Sequence, residues 1–248
     1  MAYTPTSAAN IQPEETTGGT YCRMRASLRL WPESLAQGLL RLDPDGSREI
    51  AVGLRQRLHH RRRAAIIDSA NRLLYGRGAP RLYERMWIDP QQIEVYIPLF
   101  DRQASARVIG GSWDLAVEPL AEHATIQGCR LHWQDGVPWN EAGVIELRTK
   151  ERGSTLAQVL REYEALDRIF ETVQREGRIR TAEELYGEYR EYGGPFVHVD
   201  REGRPIFGGG GFHRLAMAVV LGLSELPAHV GVVHSGAIGR LDYLRSPA

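Results

Sequence analysis

A run of four glycines in the last third of the chain is followed directly by Phe212, His213 and Arg214; the glycines are Gly208, Gly209, Gly210 and Gly211. Glycine permits positive φ angles and lets the backbone approach a ligand closely. The first turn of a helix that starts here would present unpaired N–H groups and a partial positive charge, which favour a phosphate group. Arg214 would add a permanent bidentate cation, and His213 a group that exchanges a proton near neutral pH. The loop therefore either binds a phosphate or is a flexible connection whose arginine forms a surface ion pair.

The elements around this loop follow from local sequence signals. Alternating apolar residues at 196–199 and 205–207, separated by the turn residues 200–203, predict a β-hairpin. An apolar stripe over residues 213–222 predicts a helix after the glycines, and residues 226–233 predict a strand. A short helix is expected at 238–244. The loop is thus expected to join a hairpin to a helix, whereas a Rossmann fingerprint requires a βαβ unit, and the Walker pattern is absent from the sequence.

The sequence outside this region predicts mostly helices. Helical spacing of apolar residues indicates helices at 27–43, 49–75, 118–134 and 154–177, and Thr181 and Glu184 have the spacing of a capping box before a short helix. Residues 93–98 and 144–147 are expected to form strands. We therefore expect an α+β protein with a mobile tail at 1–26, a mostly helical accessory or substrate-binding region at 27–152, and a ligand-binding domain at 153–248.

The segment from Phe207 to Arg214, with the downstream run Leu226-Pro-Ala-His-Val, resembles the ParB/sulfiredoxin superfamily over roughly residues 154–248. The resemblance implies a small mixed sheet with helices on it and a nucleotide whose phosphates lie on the glycine loop. It also implies that a preceding helix faces the loop. On that helix Thr172 matches a phosphate-contacting threonine, and Arg168 stands where sulfiredoxins have a serine.

The departures from this family select among its branches. Phe212 occupies the position of the sulfiredoxin cysteine, so reduction of a cysteine sulfinic acid has no nucleophile here. The ParB nucleotide motifs are not matched, and we expect no helix-turn-helix module after residue 248. The family's branch of small-molecule kinases, which includes free-serine kinases, requires neither the cysteine nor a DNA-binding module. The resemblance therefore implies an ATP- or ADP-dependent phosphotransferase or nucleotide hydrolase, with Mg²⁺ as a second cofactor.

Phosphoryl transfer needs positioning, charge neutralisation and a base more than covalent chemistry. We expect the four glycines, Phe212, His213, Arg214, Arg168 and Thr172 to bind the nucleotide, and His213, Arg214 and Glu184 to act in catalysis. Other carboxylates are open as base or Mg²⁺ ligands: Asp167, Glu171, Glu183 and Asp200. Capping is the alternative role for Glu183 and Glu184, and a hairpin turn for Asp200. The sequence does not identify the metal ligands.

Composition limits the partners. The 31 basic and 31 acidic residues give a formal net charge of zero, which disfavours duplex nucleic acid as the main partner. Two cysteines are too few for a disulfide framework, and no apolar run has the length of a membrane helix. We expect a cytoplasmic protein that binds a nucleotide and a small-molecule acceptor. The alternatives are a nucleotide-gated regulator without turnover and a ParB-like protein associated with nucleic acid.

Overall fold

A computed structural model of the protein describes residues 47–187 and 190–247. The chain divides into two compact units, residues 1–76 and 77–248. The described part of the first unit is one long helix, α1 (Ser47–Tyr75), which confirms the helix predicted at 49–75. The predicted tail at 1–26 and the predicted helix at 27–43 lie outside the described residues.

The second unit has an α+β fold, as predicted. Its strands are β1 (Arg85–Ile88), β2 (Val95–Tyr96), β3 (Val108–Ile109), β4 (Glu118–Pro119), β5 (Phe196–Val199), β6 (Pro205–Phe207) and β7 (Leu226–His234). Its α-helices are α2 (Ala124–Trp133), α3 (Val144–Arg152), α4 (Leu156–Glu176), α5 (Ala182–Tyr186) and α6 (Phe212–Val220). Short 3-10 turns occupy Pro90–Gln92, Arg102–Ala104, Trp113–Leu115, Leu120–Glu122, Ser235–Arg240 and Asp242–Leu244.

All seven strands form one mixed sheet with the order β1-β7-β5-β6-β2-β4, and β3 also pairs with β7. The central strand β7 is parallel to β5 and β3 and antiparallel to β1. It is buried along its whole length except at His234, which fits a strand covered on both faces. The sheet combines strands from both sides of residue 153. The predicted domain boundary at 152 and 153 stays a prediction.

The helices near the glycine loop pack through close contacts. α2 lies against both α6 and α3, and α3 lies against α4. A Cβ atom added at Gly128 of α2 would come within 2.6 Å of the Val144 side chain. Only glycine therefore lets α3 approach α2 this closely.

Two sequence predictions differ from the structure in this region. The strand expected at 144–147 is wrong, because these residues form the first turn of α3. Val144 and Ile145 have high strand propensity, but as helix residues they are buried at 1% exposure each, and tertiary packing outweighs such a preference. The helix expected at 118–134 begins only at Ala124; Pro119 lies in β4 instead.

Within the described residues, no helix combines the length and the apolar character that crossing a membrane requires.

Candidate functional site

The glycine loop leaves the sheet at the end of the β5–β6 hairpin. Gly208 N donates to Phe196 O at 2.9 Å, so the first loop residue is still held by the hairpin. Gly209 and Gly211 have φ angles of +79° and +89°, a region that strongly favours glycine. α6 begins at the next residue, Phe212. The predicted order of hairpin, glycine loop and helix is therefore confirmed.

Packing also requires glycine in this loop. A Cβ atom at Gly208 would lie 2.2 Å from the Phe196 ring, and one at Gly210 would lie 2.7 Å from the same ring. At Gly211 it would lie 2.7 Å from the Pro195 Cα atom. Backbone conformation and packing thus account for all four glycines, and the glycine run by itself does not indicate a ligand.

The backbone amides of the loop are better evidence for a ligand than the glycine run is. Gly211 caps α6 without a side-chain acceptor, and Leu215 N is bonded to Gly211 O at 3.1 Å. Within the part of the chain that the structure describes, five amides before it donate no hydrogen bond: those of Gly209, Gly210, Gly211, Phe212 and Arg214. These donors remain for water or for a bound acceptor.

The loop borders a cavity of about 530 Å³. Its lining combines five aromatic side chains with glycines and two charged residues and comprises Tyr96, Pro98, Phe100, Asp101, Arg102, His123, Phe196, Gly208, Gly209, Gly210 and Phe212. One wall is a stack in which the His123 and Phe212 rings lie 3.6 Å apart, with Tyr96 edge-on to both. An apolar cavity with few polar groups is the usual form of a small-molecule site.

Arg102 is the positively charged residue of this wall, and the sequence analysis did not identify it. Its Nε atom and one terminal nitrogen lie 3.1 Å from the position a Cβ atom would take at Gly210, and its Cζ atom lies 5.9 Å from the centroid of the Phe196 ring. Burial and the nearby positive charge of Arg214 lower the Arg102 pKa. Nothing in the sequence separates Arg102 from the many other arginines, because it reaches the loop only through the fold.

His123 was also missed as a lining residue. Its Nδ1 atom accepts a hydrogen bond from Thr125 N at 3.3 Å. Burial, followed by the charge of Arg148, lowers the His123 pKa, so the ring is neutral near pH 7. A neutral imidazole whose Nδ1 accepts carries its proton on Nε2. His123 therefore offers the cavity a hydrogen-bond donor.

The predicted binding residues are divided between two places. Phe212 and three of the glycines line the cavity, whereas Gly211 and Arg214 do not; Arg214 is half-buried in the first turn of α6. The His213 ring lies instead against α4, with Nε2 3.2 Å from the Tyr163 hydroxyl. Two further predicted residues, Arg168 and Thr172, lie on α4 and do not line the cavity; Thr172 Oγ1 donates to the Arg168 carbonyl at 2.8 Å.

The predicted carboxylates are engaged elsewhere in the fold. Glu184 completes a capping box with Thr181 and pairs with Arg178 at 2.6 Å, and Glu183 pairs with Arg85 at 3.2 Å. Asp200 closes the β5–β6 turn by accepting from the amides of Glu202 and Arg204. These positions confirm the capping role for Glu184 and the turn role for Asp200, whereas Glu183 forms an ion pair in place of a cap.

The two remaining predicted carboxylates both lie on α4. Asp167 accepts from the Trp133 and Trp139 indoles, and Glu171 is exposed on α4. The carboxylate on the cavity wall is Asp101, whose Oδ1 atom accepts from Gln103 N at 2.8 Å. Among residues 47–187 and 190–247, no group of three or more histidine, cysteine or acidic side chains could hold a metal ion.

Two buried histidines lie behind the loop. His198 and His229 are 0% exposed, and the Nε2 atom of each has no hydrogen-bond partner among the described residues. His198 Nδ1 accepts from Val232 N at 2.9 Å, and its Nε2 atom lies 3.0 Å from the position of a Cβ atom at Gly208. Burial lowers the pKa of His198 to about 3 and that of His229 to about 4, so both rings are neutral at physiological pH.

Comparison of the chain with protein-family models, with curated proteins and with solved structures finds no match. The site must therefore be interpreted from its own geometry.

Proposed function

We propose that this protein binds a nucleotide through its phosphates at the glycine loop and the start of α6, and transfers the terminal phosphoryl group to a small molecule or to water. The observation that carries the proposal is the set of five amides around the start of α6 that have no acceptor among the described residues, three of which belong to residues of the cavity wall. Backbone donors at a helix N-terminus together with a guanidinium favour a phosphate over a neutral ligand.

The remainder of the cavity suits the rest of a nucleotide. Its aromatic walls provide flat apolar surface for a base. The resemblance of the 207–214 segment to ParB/sulfiredoxin proteins supports the same orientation, with phosphates on the loop. The neutral His123 ring supplies a donor in the cavity wall, which suits an acceptor atom of the ligand.

The residues of the cavity are compatible with Mg²⁺. This ion usually binds substrate phosphates and waters together with only one or two protein carboxylates. Asp101 would be the protein ligand, because it is the carboxylate among the lining residues. When bound, the ion would neutralise charge on the phosphates, and Asp101 would be one of its oxygen ligands.

A second candidate function is a nucleotide-gated regulator without turnover. The positions of the expected catalytic groups favour it. Glu184 caps α5, and the His213 ring contacts Tyr163. His123 accepts a hydrogen bond at Nδ1 and carries its proton on Nε2, so it would donate to a ligand and would not act as a base. The third candidate is a ParB-like protein that associates with nucleic acid. Stabilisation by CTP in the experiment below would support this candidate.

The first experiment measures ligand-dependent stability. Thermal unfolding is recorded with ATP, ADP, CTP or GTP and Mg²⁺, because a ligand that binds only the folded state stabilises it by about 2.7 kcal/mol at 100 times its Kd. We expect at least one nucleotide to raise the Tm of the wild type and of Arg107→Ala, and not of Arg214→Ala. Arg107 is a matched control because it is exposed and does not line the cavity.

Turnover separates the two leading candidates. Phosphate release and transfer are assayed with the nucleotide that binds best. Release or transfer that Arg214→Ala abolishes supports the enzyme, and binding without turnover supports the regulator. A folded wild type that none of the four nucleotides stabilises would overturn both.

A further inference from the structure

Half-buried arginines in the described residues of the second unit follow a pattern. Arg85, Arg148, Arg201 and Arg245 each form an ion pair with a carboxylate, and Arg190 donates to the Leu82 carbonyl. The two others, Arg102 and Arg214, form no ion pair or hydrogen bond through their side chains within residues 77–187 and 190–247. The Phe196 ring is a weak cation–π contact for Arg102. Partial burial of a charge without an ion pair or hydrogen bond is unfavourable, so this pair of residues requires an explanation.

Both exceptions lie at the glycine loop. Arg214 belongs to the first turn of α6, and Arg102 reaches the loop from the segment that follows β2, with its guanidinium beside Gly210. The two positive charges are near enough to interact unfavourably. The adjacent helix N-terminus adds further positive potential and unpaired amides. Arg102 on the cavity wall, Arg214 in the adjacent first turn of α6 and the helix N-terminus therefore all contribute positive potential near the glycine loop. Among the described residues, Asp101, the carboxylate of the cavity wall, pairs with neither guanidinium.

We propose that Arg102 is the second guanidinium of the anion site, and that the ligand carries at least two phosphoryl groups, as a nucleoside diphosphate or triphosphate does. This inference rests on the proposed function and makes it more specific. One phosphoryl group is bound by the loop amides and Arg214, and Arg102, whose guanidinium lies beside Gly210, binds the next one. Each guanidinium can donate two hydrogen bonds to a phosphoryl group. A monophosphate or a carboxylate leaves Arg102 without a partner.

Inorganic pyrophosphate and orthophosphate are the probes, compared at equal ionic strength by titration calorimetry. We expect the wild type to bind pyrophosphate more tightly than orthophosphate by about tenfold or more, the contribution of one charge-assisted contact. Arg102→Gln should remove this preference and leave orthophosphate binding nearly unchanged. Arg214→Gln should weaken both probes. Arg107→Gln, which removes an exposed charge from the same segment, should change neither.

Stability without anions separates binding from a structural role. In a low-salt buffer free of multivalent anions, Arg102→Gln and Arg102→Met should melt at or above the wild-type temperature, because each removes a charge that Arg214 repels. Arg102→Met also keeps apolar contact with Phe196. A lower Tm in both variants would show that Arg102 supports the fold, and would overturn the inference.

Different experimental results would refute this inference and the proposed function. If Arg214→Gln abolishes pyrophosphate binding and Arg102→Gln does not weaken it, the phosphate site stands and Arg102 is no part of it. The same holds if the wild type binds the two probes equally. If neither probe nor any nucleotide binds the folded wild type, the proposed function itself is wrong.

Discussion

Acidification should destabilise this protein well above the pH at which its carboxylates titrate, because of two buried histidines. His198 and His229 are fully buried, and burial is the main reason that their pKa values are about 3 and about 4. In the unfolded chain each ring returns to a pKa near 6.5. The unfolded state therefore binds protons as the pH falls below about 6.5, while the folded state stays neutral until about pH 4 for His229 and pH 3 for His198.

The size of the effect follows from proton linkage. Stability from the neutral rings is fully present above the unfolded pKa and is lost as the pH falls toward the folded values. Between pH 7.5 and pH 5, each of the two pKa differences corresponds to a loss of about 2 kcal/mol, or about 4 kcal/mol for both. A domain of ordinary stability, about 5–15 kcal/mol, would lose a substantial part of it.

Urea denaturation at pH 7.5 and pH 5 measures this loss directly. His198→Phe removes one titrating ring; it also removes the acceptor for Val232 N and so lowers stability at both pH values. The pH-dependent part alone should fall by about 2 kcal/mol relative to the wild type. His59→Phe on α1 is the control, since His59 is an exposed histidine. Equal pH-dependent losses in the wild type and in His198→Phe would refute the reasoning.

Three further substitutions test the packing around the site. Gly208→Ala should destabilise the fold by about 1–3 kcal/mol, because its Cβ atom would overlap the Phe196 ring at 2.2 Å; urea denaturation with the double variant Gly208→Ala/Phe196→Leu should recover part of the loss, and no recovery would contradict the steric cause. Asp114→Asn should lower the free energy of unfolding by about 1–3 kcal/mol, because it weakens the charge-assisted hydrogen bonds that the buried Asp114 carboxylate accepts from Arg201; a change in Tm no larger than that of an exposed Asp242→Asn variant would contradict this. Thr181→Ala should cost about 1 kcal/mol by removing the α5 cap, and an unchanged unfolding midpoint would show that the cap does not matter.

Local sequence signals predicted the elements of the site better than the site itself. The hairpin turn at Asp200, the stop of α4 at Gly177 and the capping box at Thr181 all depend on residues within about four positions of each other, and all three are confirmed. The strand expected at 144–147 failed because its burial depends on Gly128, 16 positions earlier. Packing between distant segments decided that region, and propensity could not reveal it.

The residues of the cavity wall show the same contrast between features set by neighbouring residues and features set by the fold. Gly208 and Phe212 were found because the loop is contiguous in sequence. Arg102 and His123 reach the cavity from segments about 90 to 110 residues away, and neither has a sequence pattern that sets it apart. Whether Arg168, on α4, contributes to binding stays a prediction. A sequence can indicate a binding loop, but the opposite wall of the cavity depends on the fold.

The glycine loop has two explanations, and they call for different tests. Its glycines are required by positive φ angles and by the rings and backbone they contact, so replacing Gly208 or Gly210 disturbs the fold whether or not a ligand binds. Loss of activity in such a variant would not distinguish the explanations. Arg102 and Arg214 differ, because their guanidinium groups form no ion pair or hydrogen bond within the described residues, and Arg102 has only the Phe196 ring as a cation–π contact. Replacing them should leave the fold intact and remove anion binding, and only a phosphate-binding loop produces both results together.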